Sequence, residues 1–74
     1  MINDDIAQYD VYASDESEVI HDYIGNDLDE AIKSFENLKS VQTNKQEIDS
    51  DITIVLYDCW NEKVIMDYNT LRDA

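Results

Sequence analysis

Two residues of this chain, His21 and Cys59, carry side chains that could act as a general base or a nucleophile. Both kinds of catalysis need a second group that activates the first one within hydrogen-bonding distance. His21 is the only histidine, and no nucleophile motif or phosphate-binding glycine loop accompanies it. Cys59 lies beside Trp60 in an apolar run, without a basic neighbour that would lower the pKa of its thiol. We therefore expect no enzyme activity.

Metal binding and disulfide formation are equally unsupported. One histidine and one cysteine are too few for a structural zinc site, and a single cysteine excludes an internal disulfide. Carboxylates are abundant, but none falls in the twelve-residue pattern with a central glycine that binds calcium. The sequence predicts no metal and no other cofactor.

The carboxylates themselves are the main chemical signal. The chain has 74 residues, of which 18 are acidic and five are lysine or arginine, for a formal net charge of −13. Such a surface repels nucleic acids and anionic membranes, and it attracts basic surfaces over a Debye length of about 8 Å. We therefore expect a basic protein partner, and no direct binding to nucleic acid or to a membrane.

The length allows one hydrophobic core, so we expect a single domain over residues 1–74. A domain of this size buries only about 60% of the surface of its unfolded chain, so its stability is marginal. A hydrophobic content of 43% and the lack of proline still favour folding over disorder. The acidic start has no signal-peptide pattern, and no segment reaches the roughly 20 apolar residues that span a bilayer, so we expect a cytoplasmic protein.

Hydrophobic periodicity predicts four strands and one helix in the order ββαββ. The predicted strands are residues 6–14, 18–24, 51–60 and 63–69, and the last two flank a turn around Asn61. Residues 41–50 are polar without periodicity and predict a loop, and residues 69–74 predict a frayed tail. We expect a two-layer α+β fold in which the helix covers one face of an antiparallel sheet.

The predicted helix covers residues 27–40 and ends near Ser40. Asp27 and Glu30 have the spacing of a capping box, in which the first side chain accepts hydrogen bonds from the first turn. An apolar stripe at helical spacing would face the sheet. Its members are Leu28, Ala31, Ile32, Phe35 and Leu38.

Each predicted strand contains one aspartate, namely Asp10, Asp22, Asp58 or Asp67. Side chains alternate along a strand, and an unpaired buried carboxylate costs several kcal/mol, so we place all four on the face away from the helix. That face would also hold Tyr12, Ile20, Ile24, Ile54, Leu56, Trp60 and Ile65. The helix side would hold Tyr9, Val11, Val19, His21, Tyr23, Thr53, Val55, Tyr57, Cys59, Val64, Met66 and Tyr68.

Two strands allow the opposite facing. In the second strand, Ile20 and Ile24 could point inward and leave His21 and Tyr23 outside. In the third, turning Ile52, Ile54 and Leu56 inward makes a good core but directs Asp58 and Trp60 the same way. A bulge near Tyr57 and Asp58 would rescue that arrangement. Trp60 has two interpretations as well: an exposed anchor for a partner, or a lid on the end of the core.

A small rigid domain that displays carboxylates could fill a lysine- and arginine-lined nucleic-acid groove. In size, charge, α+β pattern and lack of catalytic motifs, the whole chain resembles the small acidic DNA-mimic inhibitors of phages and mobile elements, including anti-CRISPR and anti-restriction proteins. The resemblance implies inhibition of a CRISPR or restriction nuclease inside a bacterial host. The abundance of Ile, Asn, Asp and Tyr is typical of a low-GC host or its phage.

The expected partner-binding residues are the strand aspartates with their neighbours and the acidic start of the helix. They are Asp10, Tyr12, Asp22, Asp27, Asp29, Glu30, Asp58, Trp60 and Asp67. The alternative function is a small acidic interaction module or antitoxin-like subunit that uses the uncovered sheet face. A homodimer is a further alternative, although a face-to-face dimer would bring the predicted aspartates close to their symmetry mates.

Overall fold

The computed structural model describes residues 6–15, 17–43 and 51–72. Its elements are β1 (Tyr9–Ser14), β2 (Val19–Gly25), α1 (Leu28–Thr43), β3 (Thr53–Asp58) and β4 (Lys63–Asn69). The strands form one antiparallel sheet in the order β2-β1-β3-β4, and α1 packs against β1, β2 and β3. The predicted two-layer α+β fold with the order ββαββ is confirmed.

The core lies between α1 and one face of the sheet. Phe35 and Ala31 of α1 are buried against side chains of β1, β3 and β4. Fully burying a side chain such as Phe35 contributes about 1.5–3 kcal/mol, so a few such residues dominate the stability of a domain this small. The core cluster comprises Val11, Ala13, Ala31, Phe35, Ile54, Leu56 and Tyr68.

The start of α1 follows the predicted cap in part. The Asp27 carboxylate accepts from the backbone N–H groups of Asp29 at 3.0 Å and Glu30 at 3.3 Å, as expected for an N-cap. The reciprocal bond of a capping box is replaced, because the Tyr23 hydroxyl accepts from the Asp27 N–H at 3.1 Å. Glu30 instead pairs with Lys33.

The end of α1 differs from the prediction. The helix continues three residues beyond Ser40 to Thr43, and residues 44–50 of the predicted loop lie outside the described ranges. Leu28, predicted in the apolar stripe, is exposed and is not part of the core. Within the described ranges, no helix is both long and apolar enough to cross a membrane.

Gly25 makes room for Tyr23 at the junction of β2 and α1. A Cβ atom at position 25 would lie 2.6 Å from Cζ of the Tyr23 ring, which is closer than real Cβ atoms approach. The missing side chain therefore lets the Tyr23 ring fold over the backbone and present its hydroxyl to Asp27.

The preferred facing of β3 is wrong, and the alternative with Ile54 inward is the one that the structure has. Ile54 and Leu56 point into the core, and Val55 and Tyr57 therefore point to the opposite face. Asp58 follows Leu56 inward and is only 3% exposed. The prediction assumed that a buried aspartate would lack partners, and this assumption fails here.

Asp58 accepts three hydrogen bonds from two residues of the β3–β4 turn. Its carboxylate accepts from the Asn61 side-chain amide at 2.7 Å, from the Trp60 N–H at 3.0 Å and from the Asn61 N–H at 3.1 Å. The turn covers residues 59–62 and ends with Glu62 in the left-handed region, at a φ of 54°. Burial of Asp58 is thus compensated by hydrogen bonds.

The predicted facing of β2 is half wrong, because the strand contains a bulge. Tyr23 pairs with Val11 on the helix side and Ile24 with Asp10 on the other side, as predicted. Asp22 is the extra residue, so His21 pairs with Tyr12 on the face away from α1, and the Asp22 carboxylate accepts from the Ser34 hydroxyl of α1. The facing of residues 19–22 is the reverse of the prediction.

A second bulge lies in β4. Met66 and Tyr68 pack against the core and Asp67 pairs with Val55 on the opposite face, all as predicted. Ile65 is the extra residue here, and Val64 therefore pairs with Tyr57 on the face away from α1. The prediction had placed Val64 under the helix.

The predicted fraying of the tail is wrong for residues 69–72. Thr70 is buried, and it exchanges two hydrogen bonds with Ile52: its N–H donates to the Ile52 carbonyl, and its hydroxyl accepts from the Ile52 N–H. The Asn69 side chain accepts from the N–H groups of Leu71 and Arg72. Residues 73 and 74 lie outside the described ranges.

We expect Asp58→Ala to lower the melting temperature by about 5–10 °C, because three donors in the β3–β4 turn lose their acceptor. Thermal unfolding followed by circular dichroism measures this change. Asp67→Ala is the matched control, since Asp67 is an exposed strand aspartate in a surface ion pair and its removal should change little. Equal effects of the two substitutions would contradict the role of Asp58.

The same carboxylate predicts a dependence on pH. The hydrogen bond from the Asn61 side chain, aided by backbone N–H groups, holds the pKa of Asp58 below its ordinary value of 3.8. The stabilisation that the ionised Asp58 carboxylate gives the fold is therefore complete above the ordinary pKa, which applies to the unfolded chain. It is lost as the pH falls from there through the lower pKa of the folded state. We expect the stability difference between wild type and Asp58→Asn to be constant from about pH 7 to 5 and to shrink below about pH 4. A constant difference down to about pH 2 would disprove this linkage.

Candidate protein-binding surfaces

The face of the sheet opposite α1 is not covered by any described helix or strand. Cα pairing across the four strands sorts its side chains into three rows. The rows are Val19–Ser14–Thr53–Asn69, His21–Tyr12–Val55–Asp67 and Ile24–Asp10–Tyr57–Val64. We call these residues the uncovered face.

The centre of the uncovered face is apolar. Val55 is only 8% exposed, although it lies outside the helix-side core, and Tyr12 and Tyr57 beside it are half-buried. Ile24 and Val64 on the outer strands are exposed. The exposed apolar residues of this face thus lie at opposite edges of the sheet, on either side of a centre that is already buried.

The charge of the uncovered face differs from the prediction. It carries two of the four predicted aspartates, Asp10 and Asp67, and each lies beside a basic side chain. Oδ1 of Asp10 is 2.8 Å from Nδ1 of His21, and Oδ1 of Asp67 is 3.0 Å from a guanidinium nitrogen of Arg72. The face is therefore not a bare set of carboxylates, because Arg72 forms an ion pair with Asp67 and the His21 ring is hydrogen-bonded to Asp10.

The other two strand aspartates have contacts within the domain. Asp22 is bonded to Ser34 of α1, and Asp58 is buried in the β3–β4 turn. Both were predicted to lie on the face away from the helix, and the bulge in β2 and the facing of β3 explain why they do not. Asp58 has no exposed carboxylate to offer to a partner.

The pKa values of one phenol on the uncovered face and of one thiol in the β3–β4 turn are raised. Burial raises the pKa of the Tyr12 phenol, and the Asp10 carboxylate raises it further. Burial also raises the pKa of the Cys59 thiol, with contributions from Asp10 and Asp58. A partner would meet Cys59 as a small apolar group, and Tyr12 as a hydrogen-bonding phenol.

Trp60 lies in the β3–β4 turn, outside the core cluster, so the structure does not support the interpretation as a lid on the core. Its indole N–H donates to the carbonyl of Ile6 at 2.8 Å, which ties the residues before β1 to the turn. The side chain nevertheless remains 42% exposed. It is fixed in position and open on one side, as an anchor for a partner requires.

The remaining acidic surface lies on α1 and in the turns. Asp27, Asp29 and Glu30 are all exposed at the start of α1, but Asp27 caps the helix and Glu30 pairs with Lys33. Four exposed carboxylates make no hydrogen bond or ion pair with any described residue, and we call them the free carboxylates. They are Glu18, Asp29, Glu36 and Glu62.

Two residues of these surfaces escaped sequence reasoning, and His21 was placed here only by the alternative facing of the second strand. His21 joins the uncovered face through the bulge in β2. Val64 joins it through the bulge in β4, and hydrophobic periodicity does not reveal a bulge. Arg72 reaches Asp67 from a tail that looked unstructured. The spacing of Asp58 and Asn61 is a usable signal, since aspartate three residues before asparagine favours a turn closed by side chains.

No family model, curated protein or solved structure matches this chain. Inference about its function therefore depends on the two surfaces just described.

Three substitutions at the start of α1 distinguish the carboxylate that stabilises the helix from one that does not. We expect Asp27→Ala to lower the free energy of unfolding by about 1 kcal/mol, because two backbone N–H groups lose their cap. Asp27→Asn keeps an acceptor oxygen and should retain most of that energy. Asp29→Asn should leave stability unchanged within about 0.5 kcal/mol. Chemical denaturation measures all three, and a strong loss for Asp29→Asn would show that its carboxylate has a structural role.

Proposed function

We propose that this protein is an acidic inhibitor of the anti-CRISPR or anti-restriction type. It acts in the bacterial cytoplasm, where it binds the basic nucleic-acid-binding surface of a nuclease or another DNA- or RNA-binding protein. The observation that supports this most is the uncompensated charge. The chain carries −13, and its described residues form three ion pairs, one of which involves a histidine.

The structure favours α1 over the sheet as the surface that meets the basic groove. Asp29 and Glu36 are free carboxylates on the same element, two helical turns or about 10 Å apart along its axis. The uncovered face instead offers two aspartates that already have partners, Asp10 with His21 and Asp67 with Arg72. Free carboxylates need not give up an internal partner when they bind lysine or arginine, so binding through α1 loses less free energy.

Binding by such an inhibitor should depend on salt and should compete with nucleic acid. A groove that binds DNA has lysine and arginine side chains arranged for phosphate, and carboxylates can substitute for the phosphates. Long-range attraction would speed association, and salt would weaken it steeply. Competition with nucleic acid follows, because both ligands need the same basic side chains.

We expect the full chain to bind at least one of a panel of purified CRISPR and restriction nucleases, with an affinity that falls at least tenfold between about 50 and 200 mM salt. Cognate nucleic acid should displace it. Fluorescence anisotropy with a dye-labelled chain measures both effects. Binding that ignores both salt and nucleic acid would overturn the proposal, as would the failure of every nuclease in the panel to bind.

Matched variants locate the binding surface. Asp29→Asn with Glu36→Gln removes two free carboxylates from α1, and should reduce affinity about tenfold at low salt. Asp10→Asn with Asp67→Asn removes two carboxylates from the uncovered face and is the control with equal charge. The association rate should fall with the α1 pair, since rim charges act mainly on association. The opposite ranking would assign binding to the sheet.

An interaction module or antitoxin-like subunit is the second candidate, and the exposed apolar residues of the uncovered face favour it. Ile24 and Val64 would be desolvated by such a partner, and Trp60 could anchor it from the adjoining turn. Binding of that kind depends weakly on salt, which distinguishes it from the inhibitor.

A further inference from the structure

We infer that the β3–β4 turn binds an arginine side chain of the partner, with the guanidinium group stacked on the Trp60 ring and paired with the Glu62 carboxylate. The inference deepens the proposed function and rests on it in one respect, since it takes the partner to be a basic protein. Three features of the described residues support it: the fixed and exposed ring, the charge around that ring, and the position of the turn beside α1.

The Trp60 ring is held in place before any partner binds. Its indole N–H donates to the Ile6 carbonyl at 2.8 Å, and its backbone N–H donates to the Asp58 carboxylate at 3.0 Å. The backbone N–H groups of Cys59 and Asn61, on either side of it, are hydrogen-bonded as well. A partner that contacts this side chain therefore loses little free energy in ordering it.

The exposed part of Trp60 offers carbon surface to a partner. The only polar group of the indole is its N–H, which is already bonded to Ile6, and yet the residue is 42% exposed. An aromatic ring is electrostatically negative over its face, and tryptophan binds cations best among the aromatic residues. A guanidinium group is planar and weakly hydrated, so arginine stacks on such a face better than lysine does.

Carboxylates determine the electrostatic potential around the turn. Glu62, two residues after the ring, is a free carboxylate, and Asp58 lies two residues before the ring. The adjacent Cys59 thiol is affected by this potential, because burial raises its pKa and the Asp10 and Asp58 carboxylates raise it further. Lys63 offsets one of these three negative charges, so the potential at the turn favours a cation over a neutral apolar group.

The β3–β4 turn lies beside the acidic start of α1. The Cys59 N–H donates to the Gln8 carbonyl at 2.7 Å, and the Gln8 N–H donates to the Asn26 side chain at 2.8 Å. These bonds join the turn to the residues before β1 and to the segment that leads into α1. The free carboxylate of Asp29, in the first turn of α1, lies at the same end of the sheet. A basic partner that contacts α1 can therefore place a second side chain on Trp60.

Two short peptides of equal charge test the preference for arginine. They are capped hexapeptides in which arginine or lysine alternates with glycine, so long-range attraction to the chain of −13 is the same for both. At about 50 mM salt we expect a dissociation constant about threefold lower for the arginine peptide, measured by the anisotropy of dye-labelled peptides. Because no nuclease is used, the peptides decide on this site whether or not the nuclease panel supports the proposed function.

Trp60→Leu tests whether the ring causes the preference. Leucine keeps an apolar side chain without an aromatic face, so the two peptides should bind this variant within about 1.5-fold of each other. An arginine preference that is unchanged in Trp60→Leu overturns the inference. A hexapeptide with leucine in place of arginine overturns it too, if it binds the wild-type chain as tightly as the arginine peptide does.

Glu62→Gln and Glu18→Gln form a matched pair. Both residues are free carboxylates, but Glu18 lies in the β1–β2 turn at the opposite end of the sheet. Glu62→Gln should raise the dissociation constant of the arginine peptide about threefold, and Glu18→Gln should raise it by less than about 1.5-fold. Equal effects would show that only the net charge matters and would overturn the inference.

A measurement on the wild-type chain covers the case in which Trp60→Leu does not fold. Protons above an aromatic ring resonate upfield, and Trp60 is the only tryptophan of the chain. We expect the side-chain protons of the arginine peptide to move upfield when it binds, and those of the lysine peptide to move less. Arginine protons that keep their position in the bound peptide would show that the guanidinium group does not stack on the ring.

Discussion

The buried carboxylate of Asp58 determines how β3 faces. Its three hydrogen bonds close the turn of residues 59–62, and they leave no unpaired charge beneath the sheet. With Asp58 satisfied, Ile54 and Leu56 are free to form the centre of the core. The alternation along β3 then sends Val55 and Tyr57 to the other face, so both faces of the sheet depend on one side chain.

The helix and the strands could be predicted from the sequence because each is determined by residues that lie close together along the chain. The Asp27 cap and the buried Phe35 are visible in the spacing of residues, and so is the order ββαββ of the elements along the chain. The facing of side chains was predicted less well, since it depends on contacts between strands. One bulge per hairpin reverses half a strand, and a satisfied aspartate can lie where an unsatisfied one cannot.

The carboxylates of this chain have different roles, which a count of charges conceals. Asp15 and Asp27 accept backbone N–H groups at a turn and at a helix start, as Asp58 does. Asp10 and Asp67 lie beside basic side chains. Only the free carboxylates can bind a partner without first giving up a contact within the domain, and the sequence did not reveal which these are.

The two bulges have a consequence for the behaviour of the sheet as a whole. Asp22 and Ile65 each interrupt an edge strand, β2 and β4, near its middle. An interrupted edge presents a broken row of N–H and C=O groups, to which an extended chain cannot pair along its full length. Ordered aggregation by strand addition is therefore hindered at both ends of the sheet, in a chain whose edges carry exposed isoleucine and valine.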